Sequence, residues 1–280
     1  VHYKEALAIA RATGDMEYVG VVGLYISQLY DWMGEYDEAV KTYHEMRVHV
    51  DREKNSRSYG IMLINIGAVH GNKKSYDSAL YYYDLALKYL PIKEEKSKGI
   101  AKLNIAFVYM MKKINYGKVR MLLDEVRPIF IKYNSQSNIT LIDYYDALYF
   151  EAMKDYPKAK SFLLRSLEQY KSENNNNRLS AVYDRLSSVY ERLNKIDSAY
   201  YSHKLFKQFN DSVLTDLAQN NMSYQRVMFG MDRKQLEIQA LEQKQIIQKE
   251  QLKSEKTQRF AMYGGIVLLI VFGIFMFNRF

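Results

Sequence analysis

A repeat of about 40 residues runs through most of the sequence and constrains the fold more than any other feature. Its mark is a small residue (Val119 in one case) three positions after an aromatic residue or isoleucine: Tyr3/Ala6, Tyr36/Ala39, Tyr76/Ala79, Tyr116/Val119, Tyr156/Ala159 and Ile196/Ala199. The first interval is 33 residues and the next four are 40 each. A fixed period in this range is typical of a solenoid, in which each repeat packs against its neighbours.

Each repeat is predicted to form two helices joined by a short turn. In residues 60–91, Gly67 lies on the first helix, the turn has the sequence GNKKS, and a second helix beginning near Tyr76 ends at Pro91. Small residues let two helix axes approach where they cross. We therefore expect such crossings at the repeat-packing positions Ala39, Gly67, Ala79, Ala106, Ala159 and Ala199.

This pattern resembles the tetratricopeptide repeat (TPR) family. The residues that carry the resemblance are Leu63, Gly67, Tyr76, Ala79, Tyr83, Ala86 and Pro91. The resemblance implies an all-α solenoid of helix-turn-helix units over residues 1–210, comprising a half repeat and five units. Because the period is about 40 rather than the family's usual 34, it is more similar to the extended repeats of bacterial regulatory sensors.

Two changes of composition divide the rest of the chain. Residues 211–259 turn to Gln, Lys and Glu and predict a long polar helix, from about Gln219 onward, which is either a solvated stalk or a coiled coil. The candidate dimer seam comprises Ile238, Leu241, Leu252, Ala261 and Gly265. Residues 260–277 are 18 uncharged residues, and they predict one transmembrane helix of about 27 Å, followed by 278–280 on the far side.

The order of repeats, polar helix and apolar segment resembles that of bacterial membrane-bound TPR signalling proteins. The resemblance implies a sensor in the inner membrane, with periplasmic repeats and a histidine kinase or helix-turn-helix regulator module beyond Phe280. The chain starts within a repeat, so we expect it to begin inside a larger protein. Five Lys and Arg residues lie within the 20 positions before the span. They favour the alternative, a tail-anchored scaffold whose repeats face the cytosol.

No motif of enzymatic chemistry is present in the sequence. Cys is absent, and there is no Gly-rich phosphate loop or nucleophile elbow. The net charge of +8 is spread among acidic residues, whereas nucleic-acid binding favours a clustered basic face. His70 is interpreted as a packed core residue. We therefore expect no catalytic residues, no cofactor and no metal site in these residues.

The first helices of a repeat superhelix line its concave face, where a peptide or protein ligand can bind. The side chains predicted to line this groove are amides, aromatic residues and a few charges that suit an extended peptide. They are Gln28, Trp32, Asn65, Asn104, Phe107, Tyr144, Tyr145, Arg185 and Glu191. The alternative is that some of them pack between repeats and contact no ligand.

Overall fold

The computed structural model describes Ile9, Thr13, residues 16–47 and residues 56–277. These residues contain ten helices of eight or more residues and no strand. The helices are α1 (Met16–Trp32), α2 (Tyr36–Arg47), α3 (Ser56–Asn72), α4 (Tyr76–Tyr89), α5 (Glu95–Lys112), α6 (Tyr116–Lys132), α7 (Gln136–Ala152), α8 (Tyr156–Ser172), α9 (Asn176–Arg192) and α10 (Ile196–Phe277). The predicted all-α repeat fold is confirmed.

The helices follow the predicted period. The second helices begin at Tyr36, Tyr76, Tyr116, Tyr156 and Ile196, which are 40 residues apart. Polar residues just before or inside the first turn help to start them, because free backbone N–H groups at a helix N-terminus favour oxygen acceptors and negative charge. The Asp155 carboxylate accepts a bond from the Lys158 amide at 3.2 Å, and Asp77 lies in the first turn of α4.

The turns inside the repeats are built alike. Gly34, Lys74, Lys154 and Asn194 all have left-handed backbone conformations and are separated by multiples of 40 residues. At Lys74, the following amide of Ser75 donates to the His70 carbonyl at 2.8 Å, as in the Schellman motif that closes many helices. One turn geometry therefore sets the same helix reversal in each of these repeats.

The turn between α5 and α6 departs from this plan because of one side chain. Ile114 stands 40 residues after Lys74, and a β-branched residue strongly disfavours a positive φ. The left-handed conformation is taken instead by its neighbours, Lys113 at φ 54° and Asn115 at φ 57°. The Ile114 amide donates to the Tyr109 carbonyl at 3.1 Å, so the closing hydrogen bond lies one residue earlier in the repeat.

The crossing of α3 and α4 depends on a glycine, which has no side chain to hold the helices apart. Gly67 of α3 faces the ring of Tyr83 in α4, and a Cβ atom built at Gly67 would lie 2.6 Å from Cε1 of that ring. Ala79, one turn before Tyr83, is fully buried. The small residue thus makes the room that the aromatic ring fills.

Most of the buried apolar side chains in the described residues belong to two clusters. One extends from Ala39 to Leu148 and the other from Ala147 to Val189. α7 contributes to both, since Ile142, Tyr145 and Leu148 belong to the first and Ala147 to the second. The boundary between the two clusters therefore falls on α7.

The beginning of α10 has the character of a terminal repeat. In α8, Leu163, Leu167 and Tyr170 are buried. The residues 40 positions later are His203 and Lys207, which are exposed, and Asn210, which is half-buried. A repeat array needs a polar outer face at its last unit. α10 supplies that face with charged and polar side chains.

The chain divides into two compact units, Val1–Asn221 and Met222–Phe280. The long helix predicted from about Gln219 lies within α10, which begins earlier, at Ile196. Within the residues that the structure describes, no helix combines the length and the apolar character that crossing a membrane requires. The side chains of most residues from 266 to 277 lie outside the description, as do the half repeat at Tyr3 and Ala6 and residues 278–280.

Candidate functional site

The structure divides the predicted groove residues between the core and the surface. Tyr145 is buried, and its ring stacks on that of Phe107 with centroids 5.4 Å apart and an interplanar angle of 22°. Burial raises the pKa of Tyr145 above its ordinary value, because the charged phenolate would lose its hydration. These two rings fill the space between neighbouring repeats, and Tyr145 offers no surface to a ligand.

The other predicted groove residues occupy different settings. Asn65 is half-buried and interacts with Tyr43, so its amide faces the fold. Asn104 is half-buried on α5. Gln28, Trp32 and Glu191 are exposed, with Trp32 at 54%. Only part of the predicted set is therefore available to a partner.

Arg185 and Tyr144 do come together, on α9 and α7. The Arg185 guanidinium interacts electrostatically with the Tyr144 hydroxyl. It also lies 3.8 Å, measured from Nη1, from Oε1 of Glu151 at the carboxyl end of α7. The guanidinium is therefore oriented by two groups of the neighbouring first helix.

Arg185 and Glu151 border a pocket of about 420 Å³. It is formed by α5, the beginning of α6, α7 and α9, which belong to three successive repeats. Its volume is in the range of natural ligand pockets, and its surface is mostly apolar with a few polar groups. The lining residues are Met110, Met111, Lys113, Tyr116, Leu148, Glu151, Ala152 and Arg185.

Glu151 is one of several pocket residues that sequence reasoning missed. Its side chain is 24% exposed, and burial raises the pKa of its carboxyl above the ordinary value, an effect that Arg185 partly opposes. The signal was available, because Glu191, which was among the predicted residues, lies 40 positions later at the same place in the repeat. The 40-residue period predicts that Glu151 and Glu191 occupy equivalent positions. It does not predict how buried each side chain is, because burial depends on the neighbouring repeat.

A buried ionic cluster joins α6, α7 and α8. Asp143 and Asp146 on α7 are 6% and 1% exposed. Arg127 donates to both, to Asp143 at 2.8 Å and to Asp146 at 2.5 Å. Arg120 also binds Asp146, and Nε of Arg165 donates to Asp143 at 3.0 Å. Each buried carboxylate is thus met by two guanidinium groups, the arrangement that buried charge requires.

His70 lies half-buried on α3 and faces α2 and α4. Its ring stacks on that of Tyr82 with centroids 5.2 Å apart, and its buried Nδ1 meets no hydrogen-bond partner among the described residues. Burial lowers the pKa of His70, with His44 and Lys73 adding to the effect and Asp37 opposing it. This packing agrees with a structural rather than a chemical role.

The remaining predicted residues are placed as follows. All six repeat-packing residues, Ala39, Gly67, Ala79, Ala106, Ala159 and Ala199, are buried. In the candidate dimer seam, Leu241 and Leu252 are 55% and 57% exposed and Gly265 is exposed. The side chains of Ile238 and Ala261 lie outside the described residues, so the seam stays a prediction.

Comparison with known proteins places the fold but supplies no family. No protein-family model and no curated protein matches the chain. The structure is similar to BtubC (BKLC) from P. vanneervenii, with a TM-score of 0.60 and 16% identity over 76% of this chain and 89% of that one.

A second similar structure is described as containing tetratricopeptide repeats. It is a Signal Transduction ATPase with Numerous Domains (STAND) protein with a tetratricopeptide repeat sensor, from Pyrococcus horikoshii. The TM-score is 0.54 and the identity 20%, over 77% of this chain but only 34% of the other, so the match spans about a third of that protein. At this identity the likeness shows the fold alone. The fold of the repeats is TPR-like.

Proposed function

We propose that the repeats form a non-enzymatic protein-interaction segment that binds a peptide or protein. The observation that carries this proposal is the pocket shared by α5, α7 and α9, because it joins apolar side chains to a partly desolvated carboxylate and guanidinium. The TPR-like fold supports it, since such repeat arrays create extended concave binding surfaces. No cofactor or metal is required for this function.

The binding segment is proposed to belong to a single-pass bacterial signalling protein. The support lies in the sequence, where 18 uncharged residues follow the polar part of α10. In this arrangement the repeats are periplasmic, α10 relays the signal, and a histidine kinase or transcriptional regulator module follows Phe280. Pairing of two chains along Leu241 and Leu252 is part of the same proposal.

One observation favours a second function, a tail-anchored scaffold with cytosolic repeats. Lys244, Lys249, Lys253, Lys256 and Arg259 all precede the apolar segment, and positive residues favour the cytoplasmic side of a membrane. Long domains that follow a signal peptide, however, cross a membrane largely regardless of such charges. The two functions therefore differ in a measurable property, which is the side of the membrane that holds the repeats.

A pair of reporter fusions tests the membrane part. A reporter that works only in the cytoplasm is fused after Phe280 in the full-length protein and, separately, upstream of Phe260. The sensor proposal expects activity only from the first fusion. Activity only from the second would replace it with the tail-anchored scaffold, and activity from both would exclude a membrane span.

Photocrosslinking in the native cell tests the binding part. A photoreactive residue replaces Met111 in the pocket or, as a control, Met121, which is 57% exposed on α6 and not part of the pocket. We expect one discrete crosslinked partner at position 111 and none at position 121. The same adducts at both positions, or at neither, would contradict a binding function for this face.

A further inference from the structure

The charges of the pocket narrow the class of ligand that it can hold. Glu151 brings a negative charge, whereas Arg185 and Lys113 bring positive charges to the same wall and rim. A phosphate or carboxylate would approach Glu151 unfavourably, and an ammonium group would meet Arg185 and Lys113. A neutral group that carries both a hydrogen-bond donor and an acceptor avoids both penalties.

Glu151 has unused capacity to accept hydrogen bonds. Among the described residues, Glu151 forms one salt bridge, to Arg185 at 3.8 Å, which is beyond hydrogen-bond distance, and no described side chain or backbone N–H donates to its carboxylate. A carboxylate that is three-quarters removed from water gains from an N–H donor that reaches it, because the lost hydration is then replaced. The pocket therefore presents an acceptor that the fold itself leaves unsatisfied.

Arg185 supplies the complementary donor. Its guanidinium lies near Tyr144 and Glu151, and it has five N–H groups, none of which donates a hydrogen bond to another described residue in the structure. A peptide group has an N–H for Glu151 and a C=O for Arg185. A peptide group is neutral and carries both a donor and an acceptor, so it suits a pocket wall formed by Glu151 and Arg185.

The rest of the pocket is apolar and adaptable. Met110 and Leu148 are each 6% exposed, and Met111 and Ala152 are half-buried beside them. Methionine side chains adjust to different apolar shapes, because they are unbranched and polarizable. This surface suits an aliphatic side chain of a ligand more than a charged one.

We propose that the pocket anchors an extended peptide by one aliphatic side chain, which lies on Met110, Met111 and Leu148 while an adjacent peptide group binds Glu151 and Arg185. This proposal rests on the proposed binding function and names its ligand class and anchor point. The site differs from the groove predicted from the sequence, with which it shares only Arg185.

The test is a selection of random 12-residue peptides, displayed on phage, against the full-length protein. Enriched peptides are then measured for affinity to the unsubstituted protein, Glu151→Gln, Ala152→Phe and the matched control Glu168→Gln. Glu168 is exposed on α8, a second helix, and belongs neither to the pocket nor to the groove predicted from the sequence. Circular dichroism of each variant establishes that it is folded.

We expect enriched peptides to share an aliphatic position flanked by uncharged residues. Their affinity should fall about tenfold or more with Ala152→Phe, which fills the pocket, and severalfold with Glu151→Gln, with no change for Glu168→Gln. If Ala152→Phe is unfolded, the comparison of Glu151→Gln with Glu168→Gln tests the proposal.

The other outcomes separate the two proposals. Peptides that bind all variants alike would overturn the pocket as anchor and leave the binding function standing. Enrichment of a charged anchor residue whose binding needs the pocket would overturn the ligand class. Failure to enrich any peptide would count against both this inference and peptide binding by the repeats.

Discussion

The joint between α3 and α4 and the joint around α7 solve the same packing problem with opposite chemistry. At the first, Gly67 makes room for the Tyr83 ring and the contact is apolar. At the second, Asp143 and Asp146 are buried with guanidinium groups from both neighbouring helices. The backbone repeats every 40 residues in both places. The period therefore fixes where helices meet but leaves the chemistry of each joint open.

The same positions one repeat later show that the charges are not a requirement of the fold. Tyr183 and Leu186 lie 40 residues after Asp143 and Asp146, and both are buried. An apolar pair thus occupies the backbone positions that carry two acids in α7. Buried ion clusters of this kind are often no more stabilising than apolar packing, but they become costly once a partner is lost. A charged joint should therefore tolerate single substitutions poorly.

The largest expected effect is the loss of one buried acid. Asp146→Ala leaves Arg120 and Arg127 without their shared partner and should lower the free energy of unfolding by about 3 kcal/mol or more. The control is Asp124→Ala, which removes the exposed partner of Arg120 and should cost less than about 1 kcal/mol. Urea denaturation measures both. Equal losses of stability for the two variants would mean that burial of the ionic cluster does not increase the cost of removing an acid.

The apolar joint should respond to added volume. Ala79→Leu and Gly67→Ala are each expected to cost about 1–3 kcal/mol, because the crossing has no room for the new atoms. Gly117→Ala on α6 is the matched control, since a Cβ there would meet no atom within 4 Å. It should raise stability by about 0.5–1 kcal/mol, as expected when alanine replaces glycine inside a helix. A melting temperature unchanged by Ala79→Leu would contradict the crossing.

Sequence reasoning predicted the backbone repeat but not the chemistry of each joint. The period predicted the helix pairs and the start of every second helix from Tyr36 to Ile196, because apolar spacing and turns are local properties. It did not reveal the cluster around Asp143, whose partners Arg127 and Arg165 lie 16 and 22 positions away. Two acids on an otherwise apolar helix face were the available signal.

The candidate site was predicted only in part for a related reason. Tyr145 and Arg185 were both assigned to the groove because of their places on first helices. Tyr145 is instead covered by Phe107, while Arg185 borders the pocket. Which side chain is covered depends on contacts between successive repeats, and these vary from one joint to the next.

The turn between α3 and α4 and the turn between α7 and α8 share a left-handed backbone conformation, so the same substitution should affect their stability alike. Lys74→Gly and Lys154→Gly each relieve a left-handed conformation that costs an L-residue about 1–2 kcal/mol, offset by the larger entropy of glycine in the unfolded chain. We expect each to raise stability by about 0.5 kcal/mol. Thermal unfolding of the two variants is the measurement. A gain at one turn and a loss at the other would show that the turns are not equivalent.

A pH dependence at Glu151 should be the smallest effect. Because burial raises its pKa in the folded protein, ionisation of Glu151 opposes folding. Glu151→Gln should therefore be more stable than the unsubstituted protein above the raised folded pKa. This advantage should shrink as the pH falls through that pKa and vanish below the unfolded value. Melting temperatures measured from pH 3 to 8 test the sign. A stability difference that grows toward acidic pH would contradict it.

The most direct test of the comparison replaces the charged joint with the apolar one. The combined variant carries Asp143→Tyr, Asp146→Leu, Arg127→Leu and Arg165→Leu, which are the residues found 40 positions later. If the charges act as one unit that apolar packing can replace, the combined variant should lose much less stability in urea than the four single variants summed. A loss equal to that sum would contradict this account, because each charge would then contribute independently to the fold.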